Sequence, residues 1–239
     1  QNNCRRKNSI RKKQLMGNWK GLTAFAFITI AAIVFTYIMY FKQEDFLPIY
    51  QPYDINPALV DSNLLHVEDH RISDFNLINH LGDSISLSDV EGQILVVDFF
   101  FSRCATICPV MTSNLKLLHD GLPGGVRILS HSVTPVADSV SVLNAYAKKH
   151  DADPSKWWFL TGAKTEVYRL ARRSYFACLD EGDGGYQDFV HTENVVLVDT
   201  EGRLRGFYDG TSNKEISNLY QDIQRLLQEK SKKNSKVFG

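Results

Sequence analysis

An almost continuously apolar run, Ile94 to Phe101 (ILVVDFFF), ends at a turn that carries two of the four cysteines of the chain, Cys104 and Cys108. A run of this length and composition is typical of a strand that is buried on both faces of a sheet. The segment after the turn, Val110 to Leu118, has apolar residues at helical spacing. The i, i+4 spacing of the cysteines then puts both sulfurs on one face of the helix start, close enough to share a metal ion or to form a disulfide.

From residue 71 onward, apolar runs alternate with helix-like patterns. The predicted strands cover residues 72–78, 84–87, 94–101, 126–133, 157–160, 195–199 and 204–208, and the predicted helices cover 110–118, 139–150, 164–175 and 214–229. The order of these elements indicates an α/β fold, a mixed sheet with helices on both faces. A cysteine motif between the first long strand and its helix makes this order thioredoxin-like.

The N-terminal segment is predicted to be a membrane anchor. Residues 1–20 contain seven basic residues and no acidic one, and the twenty residues from Leu22 to Phe41 carry no charge, which is the length a helix needs to cross a bilayer. We therefore expect a basic cytoplasmic head at 1–20, one transmembrane helix at 21–41, and a soluble domain in the periplasm, outside the inner membrane. A cleaved secretory signal is the alternative, but its apolar region would be shorter and would precede a small-residue cleavage site.

Composition divides the residues after the predicted anchor into a tether, a folded domain and a tail. Residues 42–70 contain three prolines and no sustained periodicity, which predicts an extended tether. The thioredoxin-like domain is assigned to residues 71–230, and the lysine-rich residues 231–239 are expected to form a solvated tail. An apolar segment directly behind the basic head argues against nucleic acid as a partner.

The start of a helix favours a reactive thiol, because free backbone N–H groups and a partial positive charge lower the pKa of a nearby cysteine. Metal binding, disulfide exchange and peroxide reduction all need that thiolate. Three residues separate the cysteines here, whereas the thioredoxin redox motif has two. No proline lies in residues 164–194, where thioredoxin-type oxidoreductases carry a cis-proline, and this absence counts against disulfide exchange as the main task. Phe101 and Val97 stand where a peroxiredoxin site has its threonine and proline, which counts against a peroxidase.

His191 stands in the place of that missing proline, just before the predicted strand 195–199. In this fold its loop should lie against the cysteine turn, where two thiolates and an imidazole would suit Cu(I), with Zn(II) as the other candidate. The alternatives are an ordinary loop histidine at 191 and a rival ligand, His131, near the end of the second long strand. The other candidates are expected to be structural: Met111 in the core, His119 on the surface, Asp98 with a partner in the buried strand, Cys178 as a small buried residue, and Cys4 in the cytoplasmic head.

These features together resemble the Sco/SenC family of membrane-anchored copper chaperones for cytochrome c oxidase assembly. The matching motifs are the anchor, the CxxxCP motif from Cys104 to Pro109, Ser132-Val133-Thr134-Pro135 with Asp138 and Ser139, Phe159-Leu160-Thr161-Gly162, and the lone His191. The resemblance implies that Cys104, Cys108 and His191 bind copper, as Cu(I) with Cu(II) left open, and that the copper is delivered to the CuA centre of cytochrome c oxidase subunit II. It also implies a metallochaperone rather than an enzyme. Oxidation of Cys104 and Cys108 to a disulfide would block loading, because a disulfide supplies no thiolate.

Two positions depart from the family pattern, since many members have an aspartate where Thr134 and Val190 stand. Asp188 or Glu193 could take over the orientation of His191. Two other functions remain open from the sequence: a membrane-tethered thiol-disulfide reductase that acts on oxidase cysteines, with a periplasmic thiol reductant as a further partner, and a sensor of copper or redox state.

Overall fold

The computed structural model describes residues 23–37, 46–179, 188–190 and 192–237, and the chain divides into two compact units, residues 1–45 and 46–239. In the first unit, residues 23–37 are helical, with their large apolar side chains mostly exposed. Of the helices in the described ranges, none combines the length and the apolar character that crossing a membrane requires. The predicted head at 1–20 and both ends of the predicted anchor at 21–41 lie outside the described residues.

The second unit is built on a seven-stranded mixed sheet. The strands are β1 (Asn76–Asn79), β2 (Ser84–Ser86), β3 (Ile94–Phe100), β4 (Val126–Ser132), β5 (Trp157–Thr161), β6 (Asn194–Val198) and β7 (Leu204–Asp209), in the spatial order β2-β1-β5-β4-β3-β6-β7. The central strands β3, β4 and β5 are parallel, and the outer strands pair antiparallel to their neighbours. The predicted mixed sheet is confirmed.

Helices cover both faces of the sheet, as the element order predicts. They are α1 (Ile107–Gly121), α2 (Val140–Lys149), α3 (Lys164–Arg169), which continues as a π-helical turn (Leu170–Ser174), and α4 (Asn213–Val237). Strand β3 is buried along its whole length, so alternate side chains serve the two faces. Val96 and Phe100 pack with α1, α2 and α4, whereas Val97 and Phe99 pack with α3 and the π-helical turn.

Residues 46–70, expected to form an extended tether, pack against this domain instead. Two short 3-10 turns, Pro52–Asp54 and Pro57–Leu59, interrupt the segment, and Ile55 and Val60 are buried in the core. Proline supplies no N–H for regular pairing, so the segment shows no periodicity even though Leu47, Ile55 and Val60 are buried. Helix α4 extends to Val237, so the predicted tail at 231–239 continues the helix in part, and residues 231–233 are exposed.

A buried arginine fastens the start of the segment 46–70 to the domain. The guanidinium of Arg205 is 3% exposed and contacts the carboxylates of Asp199 at 2.9 Å and Glu229 at 2.8 Å. It also donates to the carbonyl oxygens of Leu47 at 2.6 Å and Pro48 at 3.0 Å. The Glu229 carboxylate in turn accepts from the Leu47 N–H at 2.9 Å. The Arg205 side chain, in β7, therefore binds both α4 and the first residues of the segment 46–70.

We expect Arg205→Ala to lower the free energy of unfolding by about 3–5 kcal/mol, because it leaves buried carboxylates and carbonyl groups without their cation. Arg225→Ala is the matched control, since Arg225 is 49% exposed and pairs only at the surface with Asp222. That change should cost about 0–1 kcal/mol. Urea unfolding followed by circular dichroism measures both, and similar losses for the two variants would contradict the assigned role of Arg205.

Candidate metal centre

The two cysteines lie at the junction between β3 and α1, as the order of the apolar run and the helical pattern predicts. Cys104 is half-buried in the turn before the helix, and Cys108 is the second residue of α1 and only 3% exposed. No disulfide joins them. The Cys104 N–H donates to the Phe101 carbonyl oxygen at 3.2 Å, which closes the turn. The pair is therefore held as two thiols at a helix start, one accessible and one covered.

The accessible thiol of Cys104 is the more acidic of the two. Its partial burial raises its pKa, but hydrogen bonds from the Thr106 hydroxyl and from the backbone N–H groups of Cys108 and Thr106 outweigh that effect. The pKa falls from 9.0 to about 7. The hydroxyl oxygen of Thr106 lies 3.5 Å from the Cys104 sulfur. Near neutral pH a large part of Cys104 is thiolate, the form that binds metal ions and attacks disulfides.

The covered thiol of Cys108 behaves in the opposite way. Burial raises its pKa to about 12, and the hydrogen bond and charge of Cys104 and the nearby carboxylate of Asp98 add to the effect. Asp98 is itself buried in β3, on the face that packs with α1, and accepts a hydrogen bond from the Ser130 hydroxyl. The prediction that Asp98, within the buried strand, needs a partner is confirmed, because Ser130 of β4 supplies one. In the absence of a metal ion, Cys108 remains protonated.

A buried carboxylate, Asp138, anchors the turn that carries Cys104. It accepts hydrogen bonds from the Ser102 N–H at 3.2 Å and the Ser102 hydroxyl at 2.5 Å. It also accepts from the hydroxyls of Ser132 at 2.6 Å and Thr134 at 3.0 Å, which lie at the end of β4. In the sequence, Asp138 is notable only as part of the motif shared with Sco/SenC proteins. The carboxylate ties the cysteine turn to the neighbouring strand.

The rival ligand His131 faces away from the cysteines. It is fully buried and pairs with Phe99 across β3 and β4, so it shares the face of Phe99, whereas Cys108 packs on the opposite face. Its ring stacks on Phe99 and lies near Tyr175. Its Nδ1 lies 3.2 Å from the Leu129 carbonyl oxygen, and burial lowers its pKa to about 4. This geometry gives His131 a place in the core rather than in a site with the cysteines.

The predicted third ligand, His191, lies outside the described residues, but the positions on both sides of it are described. Val190 is 4% exposed. Thr192 donates from its hydroxyl to the Ala177 carbonyl oxygen at 2.6 Å, and the Asn194 amide donates to the same oxygen at 2.8 Å. The backbone next to position 191 is therefore attached to the segment that follows the π-helical turn.

The remaining candidates take structural positions, with one correction. Met111 and Cys178 are buried in the core, as predicted. His119 was expected at the surface, and that prediction is wrong: it is 5% exposed, contacts Asp120, and accepts from the Asp153 N–H at 3.2 Å. Helical spacing did not reveal the loop that covers it. Cys4 lies outside the described residues.

Asp188, one of two residues expected to orient His191, is already engaged by another side chain. Its carboxylate forms two hydrogen bonds with the Arg172 guanidinium, both at 2.6 Å. Sequence analysis did not identify Arg172, because a charged residue in a helical pattern is most simply placed at the surface.

The donor chemistry of the cysteine pair fits a soft metal ion. Within the part of the chain that the structure describes, no three side chains of the His, Cys, Asp or Glu type gather into a metal cage. Two sulfurs, one of them acidified, suit Cu(I) and Zn(II) far better than the hard cations that prefer oxygen.

Comparison with known proteins identifies close relatives. Residues 66–228 match the sequence model of the family described as SCO1/SenC. The SCO1 protein homolog of Bacillus subtilis is 30% identical over 159 residues, which cover 65% of this chain and 82% of that protein. A structure that identifies a disulfide switch in BsSco, a member of the Sco family of cytochrome c oxidase assembly proteins, is 29% identical with a TM-score of 0.57, covering 67% of this chain and 96% of the other. ScoI of Bradyrhizobium japonicum, solved with copper bound, shares the fold at 20% identity with a TM-score of 0.52, covering 65% of this chain and 99% of the other.

We expect iodoacetamide to alkylate Cys104 before Cys108 at neutral pH, because only the thiolate reacts. The rate at Cys104 should rise with pH through about 7, where its thiol titrates, while Cys108 stays protonated throughout that range. Thr106→Val removes a hydrogen bond to the thiolate and should move the titration upward, whereas Thr106→Ser should not. Peptide mass spectrometry across a pH series measures both rates, and equal rates at the two cysteines would contradict the assigned asymmetry.

We expect Asp138→Asn to loosen the cysteine turn. The amide keeps the shape of the carboxylate but offers one acceptor oxygen in place of two, so the loss should be about 1–3 kcal/mol in the free energy of unfolding. Amide hydrogen exchange at residues 102–106 should become faster. Asp151→Asn, in an exposed turn, is the control. Unchanged exchange at 102–106 in Asp138→Asn would show that the carboxylate does not hold the turn.

Proposed function

The chain belongs to the SCO1/SenC family, and we propose that it is a copper metallochaperone that delivers copper to the CuA centre of cytochrome c oxidase subunit II. The proposed ligands are Cys104, Cys108 and His191. The observation that carries the proposal is the pair of thiols at the start of α1, one poised to ionise near neutral pH and one buried beside it. Membership of the family identifies copper as the metal that this pair binds, and Cu(I) prefers soft sulfur ligands of this kind.

Loading begins at the accessible thiolate. Cys104 is available as a thiolate near neutral pH and binds Cu(I) first. The charge of the bound ion then favours ionisation of Cys108, whose proton is released to solvent, because a metal-bound thiol is deprotonated. His191 completes a three-coordinate shell as a neutral imidazole. Binding therefore releases protons, and it becomes tighter as pH rises through the range in which Cys104 titrates.

Transfer proceeds by ligand exchange without a change in the oxidation state of the metal. A thiolate of the acceptor bonds to Cu(I), a protein thiolate leaves and takes up a proton, and repetition of this exchange moves the ion to the acceptor. A three-coordinate shell leaves room for the incoming sulfur. The half-buried position of Cys104 makes it the thiolate that an acceptor can reach.

The redox state of the pair acts as the control on loading. An oxidant that takes two electrons from Cys104 and Cys108 joins them in a disulfide, which cannot bind the ion, and a thiol reductant restores the site. In BsSco a disulfide switch has been identified. We place the domain in the periplasm, tethered to the inner membrane by the predicted anchor at 21–41, because the acceptor is a membrane protein with its copper centre on the outer side.

A thiol-disulfide reductase for oxidase cysteines is the second candidate. The acidity of Cys104 favours it, since a thiolate with a pKa near ambient pH is an efficient nucleophile. Cys108 would then attack the mixed disulfide and release the reduced acceptor. The two functions differ in their need for His191, which a reductase does not use.

We expect the full chain to bind one Cu(I) in competition with a chromogenic chelator. Cys104→Ser/Cys108→Ser should abolish binding and His191→Ala should weaken it, whereas His66→Ala, at an exposed histidine, should leave it unchanged. Loaded protein mixed with the metal-free, reduced soluble domain of subunit II should pass its Cu(I) to that domain, which metal analysis of the two separated proteins measures. Binding that survives loss of both cysteines would overturn the metal assignment.

The same reagents separate the chaperone from the other functions. Reduction of an oxidised subunit II domain without copper, unaffected by His191→Ala, would favour the reductase. Tight retention of copper in the presence of the reduced acceptor would favour a sensor over a chaperone.

A further inference from the structure

The three residues before position 191 are held by side chains of a single helix and its π-helical extension. The Arg172 guanidinium forms two parallel bonds of 2.6 Å with the Asp188 carboxylate, and both side chains are 8% exposed. The Lys164 ammonium donates to the Asp188 carbonyl oxygen at 2.6 Å. A bidentate arginine fixes both the distance and the plane of its carboxylate. The backbone at Asp188 is therefore fixed through its side chain and its carbonyl group.

The hydroxyl of Tyr168 connects this segment to the strand that anchors the cysteine turn. It lies 3.2 Å from the Asp188 carbonyl oxygen and 3.1 Å from that of Val133, and it accepts from the Val190 N–H at 3.3 Å. Val133 directly follows β4 and precedes Thr134, which bonds to Asp138. Residues 188–190 and the cysteine turn are thus both attached to the same end of β4.

A direct contact joins the two segments as well. The ring of Phe189 meets the edge of the Phe101 ring, with centroids 5.2 Å apart. The Phe101 carbonyl oxygen is the acceptor that closes the Cys104 turn. On the other side of position 191, Thr192 and Asn194 are fastened to Ala177. Position 191 is therefore flanked on both sides by backbone that is tied to residues 168–177 or to the cysteine turn.

We propose that Arg172 is a positioning residue that, through Asp188, fixes residues 188–190 beside the cysteine turn and so strengthens copper binding by the next residue, the proposed ligand His191. The inference rests on the proposed function, which makes His191 a copper ligand. Among the described residues, Arg172 bonds to the Asp188 carboxylate and the Leu179 carbonyl oxygen. It fixes the backbone before the proposed ligand, so less conformational freedom is lost when the imidazole binds. This role also accounts for a charge pair that is buried in the loop region, where exposed charges would be the less costly choice.

The test measures Cu(I) affinity of the full chain by chelator competition. Changes to residues that orient metal ligands typically weaken binding by roughly 10- to 100-fold, and we expect Arg172→Gln to fall in this range. Arg172→Lys should recover part of the loss, because lysine keeps the charge but not the two parallel bonds. In a His191→Ala background, Arg172→Gln should have no further effect on affinity. That non-additivity distinguishes positioning from a general loss of structure.

Two further variants keep the test valid if Arg172→Gln folds poorly. Arg172→Gln/Asp188→Asn replaces the ion pair by neutral hydrogen-bonding groups and leaves no buried charge. Arg169→Gln is the matched control, since Arg169 lies on the same helix and pairs with Glu166 rather than with the loop. In metal-free protein, hydrogen exchange at residues 188–194 should become faster in the double variant and stay unchanged in Arg169→Gln.

The outcomes distinguish the positioning role of Arg172 from the proposed copper-binding function. Wild-type affinity in both Arg172→Gln and the double variant, or an equal loss with and without His191, would overturn the positioning role while leaving the copper site intact. A wild-type chain that binds no Cu(I) would instead overturn the proposed function itself.

Discussion

The carboxylate of Asp138 is the constraint on which the geometry of the cysteine site depends. The turn after a buried strand has no regular backbone partner, so its position must be set by side chains. Asp138 sets it with hydrogen bonds from both the N–H and the hydroxyl of Ser102, and it uses its remaining acceptor capacity on hydroxyls at the end of β4. An ionised carboxylate has about four acceptor sites, and here they are filled by donors from two segments. The cysteine turn is therefore fixed relative to the sheet rather than to its own helix alone.

This fixed turn explains why two cysteines four residues apart behave so differently. Cys104 lies where backbone N–H groups and the Thr106 hydroxyl point at its sulfur, and the Cys108 sulfur lies in the core beside Asp98. Two thiolates side by side would repel each other, and the buried one would also lose its hydration. The metal-free pair therefore carries one charge at most near neutral pH. A cation removes both penalties together, which is why a site of this kind selects a metal ion or a disulfide over two separate thiolates.

The sequence predicted those parts of the fold whose signals are local. Strand β3 and helix α1 follow from a continuous apolar run and from helical spacing, and the sheet with helices on both faces follows from the element order. Residues 46–70 could not be placed in this way, because their attachment depends on carbonyl oxygens of Leu47 and Pro48 that meet an arginine in a distant strand. The burial of His119 likewise depends on a loop 34 residues away. In the candidate site, the cysteine pair was evident from its motif, whereas Arg172, in the π-helical turn, meets Asp188 across 16 residues of sequence that carry no local signal for the contact.

If the chain is a copper chaperone with His191 as its third ligand, as proposed, a ligand that comes from a loop has a physical advantage. A histidine on a central strand would be as immobile as His131, which packs between aromatic rings, and a rigid three-ligand cage would retain its ion. A histidine on an untethered loop would lose affinity through the entropy of ordering it. Backbone that is fastened on both sides of one residue lies between these limits. Under the proposed function, an imidazole in such a position would leave the metal when a competing thiolate arrives, while its neighbours keep it within reach for the next ion.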